Sequence, residues 1–211
     1  MRAFIKFLDY LIRRASGVIE YCDDPHCIFR VQLAPAPHPV RLSDGTTIPA
    51  GAPVLLLHLW NEHIPPIDPA GPDLAWALQT ERRLRRSLRR LAEWLTSNPA
   101  CQDVQAIGGV TVLLSPDGQD GSAQLLRRLG FEFFPCHNPL GKFGEFWENL
   151  YTWWLMWAFN PASLRGRRLL HLQRTEIWMS RQTFLARHGR PIPSESGARP
   201  TETVTRPAGR D

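Results

Sequence analysis

Four polar side chains that could take part in acid–base chemistry lie at the end of the most hydrophobic predicted strand. His58 lies within that strand, residues 54–60, and Asn61, Glu62 and His63 follow it directly. In an open α/β sheet, ligands bind where strand ends meet helix starts. A glutamate or histidine there can accept a proton from an amine or hydroxyl nucleophile. We therefore predict Glu62 or His63 as general base and His58 and Asn61 as residues that position the nucleophile; the alternative is ordinary polar capping of a strand end.

The long helix that follows is expected to supply cations for an anionic group on the ligand. Leucines recur on one stripe of residues 73–97 and arginines lie mostly off it, which is the pattern of an amphipathic helix. Asp73 lies at the N-terminal end of this helix, where a carboxylate suits the positive end of the helix dipole. We predict Arg82 and Arg86, together with Trp60, as ligand-binding residues.

The four cysteines are the remaining reactive side chains. Cys22, His26 and Cys27 are close in sequence, but a structural zinc site needs a second ligand pair at matching spacing, and none accompanies them. Cys101 and Cys136 stand apart from them and from each other. Four cysteines in 211 residues are too few for a disulfide scaffold. We predict reduced thiols and no metal site.

Composition and charge allow several anionic partners. The 211 residues suffice for one domain with a full core, and 43% hydrophobic with 21% charged residues is typical of a globular protein. A net charge of +5 permits a membrane surface, a nucleic acid or a phosphorylated ligand. All but two of the 25 basic residues are arginine, as GC-rich coding would also produce. Because no nucleic-acid-binding motif accompanies the charge, we expect no nucleic-acid partner.

The sequence offers neither a membrane span nor an export signal. Its apolar runs are shorter than the roughly 18 residues of a transmembrane helix. Charged residues interrupt the first segment, and no small-residue cleavage site follows it. We expect a cytoplasmic protein, with peripheral contact to the inner face of the membrane left open.

Hydrophobic periodicity predicts one α/β (α+β) domain over residues 1–189, with a mixed, mostly antiparallel sheet, and a disordered tail over 190–211. Residues 54–60, 73–97 and 104–114 have the pattern of a parallel strand–helix–strand crossover. Short turns between the first three strands predict antiparallel neighbours. The predicted elements are helix 2–15, strand 26–33, a hairpin over 40–48, strand 54–60, helix 73–97, strand 104–114, helix 122–129, strand 131–134, helix 143–159, a basic strand region 165–173 and helix 180–188.

Residues 143–159 are predicted to form an extra, tryptophan-rich helix. Its second half is apolar nearly all round, so the helix is expected to be buried in the core, paired with a partner or second copy, or bound to lipid, where indole rings favour the headgroup region. The face expected to pack in the core combines Phe143, Phe146, Trp147, Leu150, Tyr151, Trp154, Trp157 and Ala158.

The order of elements is similar to the core of the GNAT fold of N-acetyltransferases. Residues 125–132 look like the last helix-to-strand step of that fold, which ends in a Gly-Phe pair. This resemblance implies an acyl-CoA cofactor. Residues 69–73 depart from the family's glycine-rich phosphate-binding signature, and Leu126 stands where a tyrosine often acts as general acid.

A second resemblance is carried by residues 51–54, 57–61, 107–111, 129–131 and 176–181. In these segments the chain resembles the YkoP-like domain family of small bacterial proteins, and the resemblance extends over roughly residues 2–189. Members of that family are sometimes joined to polysaccharide deacetylase domains. The resemblance therefore implies a cell-envelope or glycan setting without naming a reaction.

Two functional hypotheses follow. The first is an envelope-associated protein that binds an acyl or glycolipid-type ligand, with acyltransferase chemistry open. The second is a noncatalytic interaction or membrane-surface accessory domain that works beside a polysaccharide-modifying enzyme. An open cleft at residues 58–63 would favour the first, whereas exposed Trp153 and Trp157 with a dry, polar-free 58–63 region would favour the second. A homodimer is compatible with either.

Overall fold

Five α-helices and seven strands form the part of the chain that the computed structural model describes, which is residues 2–68, 70–112, 121–136, 141–165, 169 and 172–189. In chain order they are α1 (Arg2–Ala15), β1 (Phe29–Pro35), β2 (Val40–Arg41), β3 (Thr47–Ile48), β4 (Pro53–Leu59), α2 (Leu74–Ser97), β5 (Ala106–Thr111), α3 (Gly121–Leu129), β6 (Glu132–Pro135), α4 (Gly141–Phe159), β7 (Thr175–Ser180) and α5 (Arg181–His188).

The sheet is mixed and mostly antiparallel, as the sequence predicts. Its five strands lie in the order β1-β4-β5-β7-β6, and β2 and β3 pair separately. β4 and β5 are parallel, whereas the other three pairs of neighbours in the larger sheet are antiparallel. Because α2 connects β4 to β5, the predicted parallel crossover is confirmed.

The larger core lies between α2 and one face of the sheet. Leu88, Leu91 and Leu95 of α2 are almost fully buried in the same cluster as Leu55 of β4 and Ile107 of β5. Burying each such side chain contributes about 1.5–3 kcal/mol. The leucine stripe read from the sequence is therefore the face that fixes α2 on the sheet.

The β2–β3 hairpin covers part of the opposite face. Val40, Leu42 and Ile48 pack there with Trp178 of β7. The chain reverses at Gly45, whose φ of 87° is a conformation that side-chain-bearing residues rarely adopt. The predicted Asp-Gly hairpin is thus present, although its strands are only two residues long.

Two helices begin at side-chain caps. The side chain of Asp73 accepts a hydrogen bond from the backbone of Trp76 at the start of α2. The side chain of Ser180 accepts one from the backbone of Thr183 at the start of α5. Such caps satisfy backbone donors that a helix leaves without an internal partner.

The predicted strand region 165–173 is not a strand at residues 165, 169, 172 and 173, and the rest of it lies outside the described residues. The described residues of that segment lie outside every strand, and the strand that joins the sheet is β7, between β5 and β6. Ile177, Trp178 and Met179 are buried on alternate faces of β7. A strand covered on both faces requires such apolar residues, which the preceding basic segment does not offer. The predicted tail over 190–211 lies outside the described residues.

Helix α4 does not bury the whole face that its sequence pattern predicts. α1 packs along it, and the hydroxyl of Tyr151 donates a hydrogen bond to Asp9 at 2.7 Å. Trp153 and Trp157 are half-buried. The exposed aromatic side chains of α4 are Phe143, Phe146, Trp147 and Trp154. The expectation that this face is buried is wrong for those four residues.

Candidate functional site

The predicted site residues lie at the end of β4. The backbone N–H of Trp60 donates to Ile28 next to β1, and residues Asn61–His63 then form one turn of 3₁₀ helix. Asn61 is half-buried at the start of this turn. We call residues 58–63 the β4 turn.

Glu62 faces two arginines of the same chain. Its carboxylate oxygens lie 3.3 Å from Nη1 of Arg30 and 3.8 Å from Nη2 of Arg13. Glu20 bridges the same two arginines, at 2.9 Å and 3.5 Å. The Arg30 side chain is only 4% exposed. Since both oxygens of Glu62 are directed at protein cations, a substrate proton would have to compete with two ion pairs.

The Trp60 indole stacks against two side chains, those of Arg30 on β1 and His63 in the β4 turn. The guanidinium carbon of Arg30 lies 4.3 Å from the centre of the indole ring. The His63 ring lies 3.9 Å from it, at an interplanar angle of 15°. Cation–π contacts of this kind contribute about 0.5–2 kcal/mol. The Trp60 indole therefore packs against both Arg30 and His63 and fixes their positions.

His63 is the predicted residue whose geometry best suits a proton acceptor. Its Nδ1 lies 2.7 Å from the backbone oxygen of Cys27. A carbonyl oxygen can only accept a hydrogen bond, so Nδ1 carries a proton. In the neutral ring the lone pair then lies on Nε2. The backbone oxygen of His63 accepts from Arg83 of α2.

His58 is positioned by its neighbour strand. Its Nε2 lies 3.0 Å from Oε1 of Gln32 on β1. Burial lowers the pKa of His58, because desolvation disfavours the charged ring. Alternation along β4 places His58 on the sheet face opposite to Leu57 and the larger core.

The two α2 arginines predicted to bind a ligand both lie at the surface, and their role in binding stays a prediction. Arg86 pairs with Asp24 at 2.5 Å, and Arg82 is exposed. Arg83 is the α2 arginine that contacts the β4 turn. The sequence reasoning also missed Arg30, whose position within the apolar strand β1 was a usable signal, because a buried arginine requires partners.

A second polar cluster lies beside the smaller core, which is the group of buried residues packed with the β2–β3 hairpin. This cluster was not predicted from the sequence. The carboxylate of Glu176 on β7 accepts a hydrogen bond from the Trp178 indole at 2.8 Å and lies 2.9 Å from Nε2 of His38. The hydrogen bond to Glu176 raises the pKa of His38. Burial, followed by the charge of Glu176, raises the pKa of the Cys136 thiol. His38 and Trp178 therefore supply hydrogen-bond partners to the buried carboxylate of Glu176.

The four cysteine thiols are free. Burial and the adjacent Cys22 raise the pKa of Cys27 to about 12, so this thiol stays protonated at neutral pH. Within the described ranges, no three histidine, cysteine, aspartate or glutamate side chains converge as metal ligands.

The outward side of α1 is apolar. Phe4 is 64% exposed, Phe7 58% and Leu11 44%. Their spacing places them on one stripe of the helix. The inward side instead carries Asp9, which is 4% exposed. We call the stripe of Phe4, Phe7 and Leu11 the outer stripe of α1.

Together, the fold and the site define a mixed α+β domain with an ion-paired turn at the end of β4. The sequence model of the YkoP domain matches residues 1–188. The chain therefore belongs to the YkoP domain family. No curated protein matches it, and no solved structure matches it. Among the described helices, none combines the length and apolarity needed to cross a bilayer.

Proposed function

We propose that this chain is a noncatalytic membrane-surface domain that rests on anionic lipid through α1. The observation that carries the proposal is the outer stripe of α1, because three large apolar side chains point away from the domain. An exposed helix with an apolar face and flanking basic residues has the character of an interfacial helix, which lies in the headgroup region.

Charge on α1 supports an anionic surface as the partner. Lys6 and Arg14 are exposed beside the outer stripe. Asp9, the sole acidic residue in the α1 sequence, is buried and bonded to Arg13 at 2.8 Å. Each exposed cation near an anionic leaflet contributes roughly 1 kcal/mol to binding.

The contacts between α1 and α4 also support this role. Asp9 accepts a hydrogen bond from Tyr151 of α4, and Lys6 lies 5.0 Å from the centre of the Phe159 ring. These contacts hold the inner side of α1 against α4 without using the outer stripe. The helix can therefore meet a surface without leaving the domain.

Vesicle flotation tests the proposal. The full chain is mixed with vesicles of phosphatidylcholine alone or with about one third phosphatidylglycerol, at low and high salt. We expect flotation with the anionic vesicles and a loss of binding as salt rises, since screening weakens charge attraction. Absence of binding to anionic vesicles at low salt would refute the proposal.

Matched variants test the role of the outer stripe. Leu11→Ala should weaken partitioning by at least about fivefold, and the double variant Phe7→Ala/Leu11→Ala by more. Leu78→Ala in α2 is the control, because Leu78 is 45% exposed, against 44% for Leu11. Equal partitioning of the Leu11 and Leu78 variants would contradict the assignment. A dimer that is seen by light scattering and lost in Leu11→Ala would also contradict the assignment if the chain did not bind vesicles.

A second candidate function, acyl-ligand binding with transfer chemistry in a GNAT-like core, is favoured by one observation. The hydrogen bond from Nδ1 of His63 to Cys27 orients the ring and leaves Nε2 as the accepting atom. Such orientation is typical of a general base. In this proposal His63, rather than Glu62, accepts the proton from the nucleophile.

Thermal unfolding with coenzyme A, acetyl-CoA and a long-chain acyl-CoA tests this second candidate. A ligand present at about 100 times its dissociation constant stabilises the fold by about 2.7 kcal/mol. A stabilisation that grows with acyl length and a transfer activity lost in His63→Ala would support it. An unchanged melting temperature across the series would exclude acyl-CoA as the ligand.

A further inference from the structure

Among the described residues, strand β6 has one backbone edge without a strand partner. β6 forms an edge of the larger sheet, and among the described residues β7 is its one strand partner. The opposite edge of β6, from Glu132 to Pro135, pairs with β7. An unpaired strand edge presents a row of backbone donors and acceptors to an approaching chain.

A cavity of about 610 Å³ lies against this strand. Its lining includes Phe133, which belongs to one face of the sheet, and Phe134, which belongs to the other. Arg127 of α3 and Ser43 of the hairpin contribute from the two sides. A cavity lined from both faces of an edge strand runs along the strand's open edge.

The lining combines aromatic surface with a net positive charge. Arg127 lies 4.9 Å from the centre of the Phe133 ring, and Arg41 enters from the hairpin. Glu132 is the acidic residue of the lining, and its carboxylate accepts hydrogen bonds from the backbone and hydroxyl of Ser43 at 2.9 Å. Two arginines against one glutamate give the lining its net positive charge.

We propose that this groove binds an extended acidic segment of a partner protein, which adds to the sheet as a strand beside β6. Backbone pairing along an edge strand gives such complexes their affinity, and alternate side chains give them specificity. Side chains of the added strand alternate between its faces, so acidic ones meet Arg127 on the face of Phe133 and apolar ones lie on the face of Phe134. The proposal does not depend on membrane binding, because α1 takes no part in it.

Backbone pairing is tested with peptides. The probe is a blocked hexapeptide that alternates aspartate and valine, titrated into the full chain while amide resonances of β6 are followed by NMR. Two controls carry N-methyl groups on alternate residues, so that each removes the donors along one edge. We expect the parent peptide to shift the β6 resonances and one methylated peptide to bind at least about tenfold more weakly. Equal binding of all three peptides, or none by the parent at about millimolar concentration, would overturn the proposal.

Charge recognition is tested with surface variants. Arg127→Gln should weaken the acidic peptide about fivefold, whereas Arg128→Gln, an exposed neighbour on the same helix, should leave it unchanged. A peptide with lysine in place of aspartate should bind the wild-type chain more weakly than the acidic one. Preference for the lysine peptide, or equal loss in both variants, would count against an acidic partner.

Discussion

The guanidinium of Arg30 lies over the Trp60 indole, 4.3 Å from the ring centre, and so joins β1 to the turn that ends β4. The same guanidinium bonds to Glu20 and Glu62. One buried cation therefore holds together β1, the segment before it at Glu20 and the β4 turn. This arrangement gives the β4 turn a structural role whatever ligand the domain binds.

We predict that Arg30→Ala destabilises the fold by about 2–3 kcal/mol. Removal of one member of a buried ion network is costly because the remaining charges lose their partner. Glu20 and Glu62 are partly exposed and can hydrate, which keeps the loss below the value for a fully buried pair. Urea unfolding measures the change.

Arg85→Ala is the matched control for this experiment. Arg85 pairs with Glu81 on the surface of α2, and both side chains are exposed to solvent in part. Surface pairs of this kind contribute about 0.5 kcal/mol. Equal losses in the two arginine variants would show that the Arg30 network adds no more than a surface pair.

The fold was predictable from the sequence where one local signal decides the structure. The leucine stripe of α2, its Asp73 cap and the Asp-Gly turn at Gly45 each rest on such a signal. The position of β7 between β5 and β6 was not predictable, because strand order depends on long-range pairing and not on periodicity. A basic segment was mistaken for the strand that lies just after it.

The candidate site was predictable only as a location. The spacing of His58, Glu62 and His63 marks the end of β4, which the structure bears out. Their partners come from distant parts of the chain, with Arg30 on β1 and Cys27 before it. No local pattern in a single sequence links such residues, so the pairing of the turn required the structure.

We predict that Tyr151→Phe destabilises the α1–α4 contact by about 1–2 kcal/mol. The Tyr151 hydroxyl donates to Asp9 at 2.7 Å. Burial and the Asp9 carboxylate raise the pKa of Tyr151, so the hydroxyl stays protonated. Loss of a hydrogen bond to a buried charged group costs about this amount. Hydrogen exchange of α1 amides and urea unfolding measure the effect, and Tyr10→Phe on the exposed side of α1 should change neither.

Gly108→Ala should destabilise the sheet by at least about 1–3 kcal/mol. A methyl group at this position would overlap the six-membered ring of Trp178 on the neighbouring strand. Overpacking a buried site forces side chains from their preferred positions. Gly121→Ala, where nothing lies within 4 Å, should be neutral or slightly stabilising.

A double-mutant cycle identifies the cause of the Gly108 effect. Trp178→Phe removes the overlapping part of the ring at its own cost. We expect Gly108→Ala to be less destabilising in that background than in the wild type. A penalty of the same size in both backgrounds would mean that the overlap with Trp178 is not the cause.

His38 should make stability depend on pH through its contact with Glu176. The hydrogen bond to Glu176 raises the pKa of His38 in the folded state. The stabilisation is then fully present below the unfolded value of about 6.5, and it is lost as pH rises through the higher folded pKa. Burial lowers the pKa of His58 and His188, so their contribution has the opposite sign and is lost as pH falls.

Comparison with His38→Gln isolates the His38 contribution. Glutamine can still donate to Glu176 but does not titrate, while His58 and His188 stay in both proteins and cancel in the difference. Urea unfolding from about pH 5.5 to 9 should show the wild type losing its advantage over the variant as pH rises. His26→Gln, which replaces an exposed histidine, should follow the wild type. A difference between wild type and His38→Gln that is constant with pH, or grows as pH rises, would mean that the His38–Glu176 contact does not couple protonation to folding.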